Sequence, residues 1–404
     1  MKEKVSVIGL GKAGLPLAGV IARAGIRVVG VDLDRNRVKD INSGKNPIPE
    51  EPGLAEIIKQ HGGKGLLATT DSQKAAKECT SHIVIVPLFI DENKKPDFSI
   101  LDSAFKSLAK GLKKGDLVVL ETTVPPKTTE TRIKDILEKG SKLKAGEDFH
   151  LAYSPERIMT GYSISRFSEF PKIIGGLTEK CTEKAFALYK KFANPIKVRN
   201  ARTAELAKVA EGLYRDVNIA LANELLMVAE HHGVDLWEVR NAANHQFCHI
   251  HEPGNVGGHC IPVYPWFIIN SMPAPLLTQA RSINDGMVEF YANKVDTIAK
   301  KKKGAKVGVI GLSYREGVKE KAYTRSIPLI EFLKKRGYDV YGLDPLYSGE
   351  EIAREFGAKP IKDIKKDLKV MDAIVLMNRN KEYMNDLLPL RGRVVDVKNV
   401  LGER

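Results

Sequence analysis

The chain has 404 residues, 43% hydrophobic and 28% charged, and carries 64 Lys and Arg against 50 Asp and Glu, a formal surplus of +14. That length predicts two to three domains with cores of ordinary size. The composition excludes a disordered chain, and no apolar run reaches the length of a membrane span.

The surplus points to an anionic partner, whether nucleic acid, membrane surface or phosphorylated small molecule. Four cysteines without regular spacing, Cys79, Cys181, Cys248 and Cys260, fit a reducing, cytoplasmic setting. The opening MKEKVSVIGLG runs into a strand and carries no cleavage site, so it does not read as a signal peptide.

In chain order, short apolar runs at Val5–Ile8, Val28–Val31, Ile83–Val86 and Leu117–Leu120, with a weaker one at Ile173–Ile174, alternate with helical segments. This predicts a parallel sheet covered on both faces over residues 1–195. From Thr203 to His232 apolar residues recur at helical spacing, with Thr203 as N-cap and Gly233 as stop. A helix of that length reads as a spine within a helical segment, 196–303. The lysine run Lys300–Lys303 reads as a solvated helix end; it lacks the interleaved aromatics of a nucleic-acid surface. Runs at Val307–Ile310, Tyr338–Leu343, Ala373–Met377 and Val394–Val397 then predict a second α/β domain over 304–404. The expected architecture is α/β, two Rossmann-like doubly wound parallel sheets joined by a long central helix.

The first strand runs into Gly9-Leu10-Gly11-Lys12-Ala13-Gly14, a GxGxxG turn opening a helix. Glycines there allow a tight turn and close approach of a pyrophosphate, and the helix N-terminus offers free N–H groups. The next strand ends at Asp32, placed to accept from both ribose hydroxyls and to repel a 2′-phosphate, which selects NAD; Arg35 lies nearby. Two further loops follow strands, Val86-Pro87-Leu88 and Glu121-Thr122-Thr123-Val124-Pro125-Pro126, where Pro87 and the two threonines are candidates to face a cofactor.

The segment 245–260 holds four of the nine histidines and two of the four cysteines. Its spacing fits no regular zinc pattern, so no metal is expected. It reads instead as a nucleophile loop. Gly254, Gly257 and Gly258 clear space for a substrate, and Cys260 ends the loop as a thiolate nucleophile, with Cys248 a packed small hydrophobe. NAD and a thiolate together can oxidise an alcohol through a thiohemiacetal and a thioester to a carboxylate, given a base and an oxyanion-stabilising cation. Candidates are Glu156 as base and Arg157 as anion clamp in Tyr153-Ser154-Pro155-Glu156-Arg157. Lys208 and Arg215 share one stripe of the long helix with Gly212, and Asn218 lies at its edge.

These residues resemble a known family nearly end to end, the nucleotide-sugar 6-dehydrogenases of the UDP-glucose/GDP-mannose dehydrogenase type. The motifs are GLGKAGLPLA, ETTVPP, YSPER, ELAK, GGHCIP and GLSYREGVKE, in that order. The resemblance implies Cys260 as nucleophile, Lys208 as the oxyanion lysine, Glu156 as the residue handling water and Thr123 beside the nicotinamide. It places Arg157, Arg215, Asn218, Gly257, Gly258, His259, Tyr314 and Arg325 at a UDP-sugar. It also implies that the last domain holds the nucleotide half and that the central helix forms a homodimer. YRDVNIALANEL (Tyr214–Leu225) and SPERxxxG look like the UDP-N-acetylhexosamine branch, nearest to the manno epimer with the gluco and galacto epimers close.

Several positions depart from the family pattern. Tyr264 stands where an aspartate follows the cysteine, and Gly212 where an asparagine follows the lysine. Asn255 replaces Pro-Gly, Leu88 a threonine and Ala322 an arginine that Arg325 replaces. The first two departures keep open a second reading, a nucleotide-sugar binder or an enzyme arrested at its covalent intermediate.

Overall fold

The computed structural model of the chain describes residues 3–157, 161–167 and 169–402, the side chains of 165 and 166 apart; the variable residues of the SPERxxxG signature therefore lie outside the described residues. Two compact units emerge, Met1–Glu211 and Gly212–Arg404.

In the first unit the first three apolar runs mark strands β1 (Lys4–Ile8), β2 (Arg27–Val31) and β4 (Ser81–Val84), and a strand that no predicted run covers, β3 (Leu66–Thr69), joins them. They are followed by a small hairpin of β5 (Phe89–Ile90) and β6 (Pro96–Asp97), then β7 (Leu117–Leu120), β8 (His150–Tyr153), β9 (Lys172–Gly176) and β10 (Pro195–Lys197). Eight of them form one sheet in the order β10-β9-β8-β7-β4-β1-β2-β3. Alternate residues of its strands feed two cores. Val5 and Val7 pack with Leu15, Ala18 and Ile21 on one face. Ile8 and Val84 pack with Leu101, Phe105 and Leu108 on the other.

The all-parallel expectation needs one correction, since β8 and β9 pair antiparallel, Ala152 opposite Gly176. A parallel crossover needs an element long enough to cross the sheet. Among the described residues the β8–β9 connection holds only the four-residue helix Ser163–Arg166. The N-terminal end of that helix is held by Glu51, a buried carboxylate that accepts from Gly161 N (2.8 Å), Ser163 N (2.6 Å) and Ser163 Oγ (2.8 Å).

The long helix runs Ala201–His232, and the boundary between the units falls within it. Its N-terminal cap is Asn200, not Thr203: the Asn200 Oδ1 accepts from Thr203 N and Oγ1, both at 2.9 Å. It stops as expected at Gly233, whose φ of 69° few other residues adopt.

The second unit adds helices Leu236–Ala243, Tyr264–Ile269 and Pro275–Ile298 and a five-stranded sheet. Its strands are β11 (Lys306–Ile310), β12 (Asp339–Leu343), β13 (Lys359–Pro360), β14 (Ala373–Leu376) and β15 (Val394–Asp396), all parallel in the order β13-β12-β11-β14-β15. Lys300–Lys303 are exposed beyond the end of the preceding helix.

In both sheets the order reverses beside the first strand, between β1 and β4 and between β11 and β14. Such reversals open a crevice at the carboxyl ends of the strands, where ligands bind. No described helix is long and apolar enough to cross a membrane.

Candidate active site

The crevice of the first sheet holds the glycine turn. Gly9 has φ 99°, and a Cβ there would lie 2.5 Å from the Ile85 carbonyl oxygen; a Cβ at Gly14 would lie 1.8 Å from the Gly9 oxygen. The turn is thus pressed against the loop after β4, whereas the space over Gly11 is open. No side chain caps the N-terminus of the Gly14–Arg23 helix; within its first turn Leu15 N and Leu17 N donate to the Gly11 and Ala13 oxygens, at 3.0 and 3.2 Å. These features fit a dinucleotide.

Asp32 is already engaged. Its carboxylate accepts from Leu10 N and Asp34 N, both at 2.9 Å, and from Arg37 Nη1 at 3.1 Å. The cation beside it is therefore Arg37 and not Arg35, which is exposed. Helical geometry accounts for the swap: Arg35 starts the Arg35–Asn42 helix, and Arg37 lies two residues further round. Pro87 is exposed at its loop. Thr122 donates to the Val86 oxygen at 2.6 Å and so ties the two loops together; Thr123 beside it is half-buried.

At the ends of β8 and of the long helix's first turns, Glu156 and Lys208 come together. Burial raises the Glu156 carboxyl from 4.5 to about 7, against the pull of the Lys208 and Lys172 charges, and its Oε1 is buried without a hydrogen-bond partner. An acid held near neutrality beside an ammonium suits proton transfer with water. Lys208 itself reaches Glu211 at 3.9 Å. Arg157 is pinned, to Glu211 at 2.5 Å and to the Pro171 oxygen at 2.8 Å.

Sequence reasoning missed Glu205 within ELAK. It is buried, burial raises it to about 7, and it accepts from Lys127 N (2.6 Å), Thr129 N (2.8 Å) and Thr129 Oγ1 (2.6 Å), fixing the turn that follows ETTVPP.

In the second unit the crevice between β11 and β14 is a cavity of about 220 Å³. Arg315, Arg325, Arg379 and Lys398 line it against Glu252 and Glu316. Arg325 is largely buried, which lowers its affinity for a proton, and its Nε has no hydrogen-bond partner; Asn255 Oδ1 is likewise orphaned at the wall. Burial also depresses the Lys398 ammonium, which donates to the Pro253 oxygen at 3.2 Å. Cationic walls with unspent polar atoms suit an anionic ligand of nucleotide size.

The cysteine loop forms one wall of this cavity. Gly257 lines it, but a Cβ at Gly257 would meet the Tyr323 oxygen at 2.9 Å, and one at Gly258 the Tyr314 ring at 2.9 Å. These glycines therefore admit protein, the Tyr314 side chain, where clearance for substrate was expected. His259 faces Glu320 at 3.4 Å. Cys260 is exposed, and the four cysteines are free thiols; Cys248 is half-buried rather than packed away. Arg215 is exposed, and Asn218 donates along its own helix to the Tyr214 oxygen at 2.7 Å.

The loop is anchored by a buried polar chain that sequence reading did not foresee. Asp216 accepts from Arg281 Nη1 (2.6 Å) and Asn284 Nδ2 (2.8 Å). Asn284 Oδ1 in turn accepts from Asn223 (2.8 Å), whose Oδ1 accepts from Gly254 N (2.7 Å). Among the described residues no group of three or more His, Cys, Asp or Glu could hold a metal ion.

Models of the NAD-binding, central and UDP-binding domains of one family match residues 3–193, 202–286 and 308–403. The chain belongs to the UDP-glucose/GDP-mannose dehydrogenase family. It is an NAD-dependent nucleotide-sugar dehydrogenase. A UDP-N-acetyl-D-mannosamine dehydrogenase of Campylobacter jejuni is 39% identical over 82% of this chain and 83% of that protein. An NDP-N-acetyl-D-galactosaminuronic acid dehydrogenase of Ralstonia nicotianae is 38% identical over 82% and 79%. The solved UDP-D-ManNAc dehydrogenase of Pyrococcus horikoshii superposes with a TM-score of 0.89 at 32% identity, covering 99% of this chain and 96% of that one. In this family's terms the β1–β4 crevice belongs to the NAD-binding domain and the cationic cavity to the UDP-binding domain.

Proposed function

We propose that this dehydrogenase oxidises C6 of a UDP-N-acetylhexosamine, the manno epimer, to the uronate in the cytoplasm, removing four electrons through an adduct on Cys260. The observation that carries the reading is the cysteine loop: Gly257 lines the nucleotide-sized cavity, and Cys260, three residues on, is an exposed thiol. The names of the Campylobacter and Pyrococcus relatives favour the manno epimer.

Gly9, Gly11, Gly14 and Asp32 hold the dinucleotide, with Thr123 at its nicotinamide end. NAD, when bound, supplies the hydride acceptor. Arg325, Arg379 and Lys398 neutralise the sugar nucleotide's diphosphate. The Cys260 thiolate adds to the C6 aldehyde and keeps it on the enzyme as a thiohemiacetal, then as a thioester. Lys208 has the role of stabilising the oxyanion, and Glu156 that of taking a proton from the water whose oxygen joins C6 as the sulfur leaves with the C–S electron pair.

We place a homodimer along the long helix, where Tyr214, Leu221 and Val228 are 58%, 50% and 45% exposed at near-heptad spacing. We also retain three segments, 1–195, 196–303 and 304–404, in line with the ranges matched by the three family models.

The test is a panel of UDP-sugars with NAD, read by absorbance of NADH. Two NADH per UDP-N-acetylmannosamine, abolished by Cys260→Ala, is the expected result; no turnover with any UDP-sugar overturns it. A thioester trapped in stoichiometric amount on Cys260 would favour the arrested relative that Tyr264 and Gly212 keep open.

A further inference from the structure

Cys260 and Tyr264 lie one helical turn apart. Val263 N and Tyr264 N both donate to the Cys260 oxygen, at 3.1 and 3.0 Å, as the chain enters the Tyr264–Ile269 helix, and this turn puts the two side chains on one side. The Tyr264 hydroxyl donates to the Cys260 Sγ at 3.1 Å. The ring is 7% exposed and stacks on Phe267, with centroids 5.7 Å apart and planes 29° apart, so the hydroxyl is held in place and does not sweep solvent.

A second observation comes from the long helix. A Cβ at Gly212 would lie 2.5 Å from Tyr264 Cδ2 and 3.3 Å from its Cβ and Cγ. Gly212 is a mid-helix glycine, which costs on the order of 1 kcal/mol relative to alanine. The ring of Tyr264 is what fills the space that its missing side chain leaves.

We propose that Tyr264 is a hydrogen-bond donor to the reacting sulfur of Cys260, and that residue 212 is glycine in order to admit it. A donor at this position stabilises sulfur when it carries charge, both as the attacking thiolate and as the leaving group. In thioester hydrolysis the C–S bond breaks with its pair on sulfur, the water oxygen forms the new C–O bond, and two protons are released. Tyr264 then contacts the sulfur as its charge develops. The inference rests on Cys260 being the nucleophile of the proposed reaction.

Its test needs neither sugar nor cofactor. The full-length protein is alkylated with iodoacetamide, and Cys260 and Cys248 are followed separately by peptide mass spectrometry. Tyr264→Phe keeps the ring and its stacking. It should slow Cys260 relative to Cys248 roughly three- to tenfold at pH 7, with the gap closing to about twofold near pH 9.5, where free thiols are largely ionised. Gly212→Ala should reproduce the loss by displacing the ring, and the double variant should be no worse than either single one.

An unchanged ratio in Tyr264→Phe overturns the proposal. A slowing of equal size at both pH values also overturns it, because it would mark a packing effect with no role for the hydroxyl. If Gly212→Ala does not fold, Tyr264→Phe alone decides. Absence of NADH formation by the parent protein would defeat the proposed function and leave this measurement standing.

Discussion

The two sheets are built on the same local device and serve different ligands. In each, the first strand ends in Gly-Leu, and an aspartate closing the second strand clamps the turn. Asp32 accepts from Leu10 N at 2.9 Å, and Asp344 accepts from Leu312 N at 2.8 Å. Each aspartate also accepts from the N–H two residues on, Asp34 at 2.9 Å and Leu346 at 3.0 Å. In each second strand a glycine makes room for that leucine: a Cβ at Gly30 would lie 2.7 Å from Leu10 Cδ1, and one at Gly342 3.2 Å from Leu312 Cδ1.

The sheets diverge after the clamp. The first passes through Gly11 straight into a helix at Gly14; the second runs on through Ser313, Tyr314 and Arg315 and starts its helix only at Ser326. An uncapped helix N-terminus thus lies at one crevice, and guanidinium and ammonium groups line the other. The likeness also tempers the weight of Asp32 as a mark of NAD, since Asp344 makes the same bonds in the UDP-binding domain.

That contrast can be broken from either side. Gly14→Ala drives a Cβ to 1.8 Å from the Gly9 oxygen. It should weaken NAD roughly 100-fold, about 3 kcal/mol, and leave UDP affinity within about twofold, as read by calorimetric titration. Arg325→Ala is the mirror experiment: UDP should weaken roughly 30-fold with NAD unmoved. Loss of both ligands in either variant would show that the crevices are not independent.

Asp32→Asn and Asp344→Asn test the shared clamp. Each should cost about 1.5–3 kcal/mol in denaturant unfolding, because charged acceptors are lost. Asp32→Asn alone should also narrow the preference for NAD over NADP, roughly tenfold in kcat/KM.

The smallest expected effect is pH-dependent. Burial raises Glu156 from 4.5 to about 7, so its folded form holds the proton more tightly than the unfolded chain. The stability this contributes is complete below about 4.5 and is lost as pH rises to about 7. Glu156→Gln should therefore gain roughly 1–3 kcal/mol at pH 8 and nothing at pH 4, read by denaturant unfolding at the two pH values.

Most strands buried on both faces were legible because each is a short apolar run bounded by polar turns, as at Val5–Ile8 and Leu117–Leu120; β8 was not, because its buried residues Leu151–Tyr153 are preceded by His150 and run into the polar Ser154. β3 and β10 lie at the sheet's edges, where Thr69 and Lys197 dilute that signal, and they were not legible. The glycine turn, Cys260 and the pair Glu156 and Lys208 stood out because their chemistry is tied to residue type. The anchors did not: nothing in the sequence distinguishes Asp216 and Glu205 from other charges on a helix, and only packing shows them buried with Arg281 and Thr129. Gly212 and Tyr264 registered only as two separate departures, since nothing in a linear sequence says that one ring fills the space beside the other.

The polar chain from Asp216 through Asn284 and Asn223 to the Gly254 amide changes what the glycines before Cys260 mean. Three glycines in five residues look like slack, yet the first is hydrogen-bonded to a side chain buried in the core. Its amide proton should therefore exchange with solvent about as slowly as the helices it hangs from. The glycines give this segment its shape, and the core sets how seldom that shape is lost.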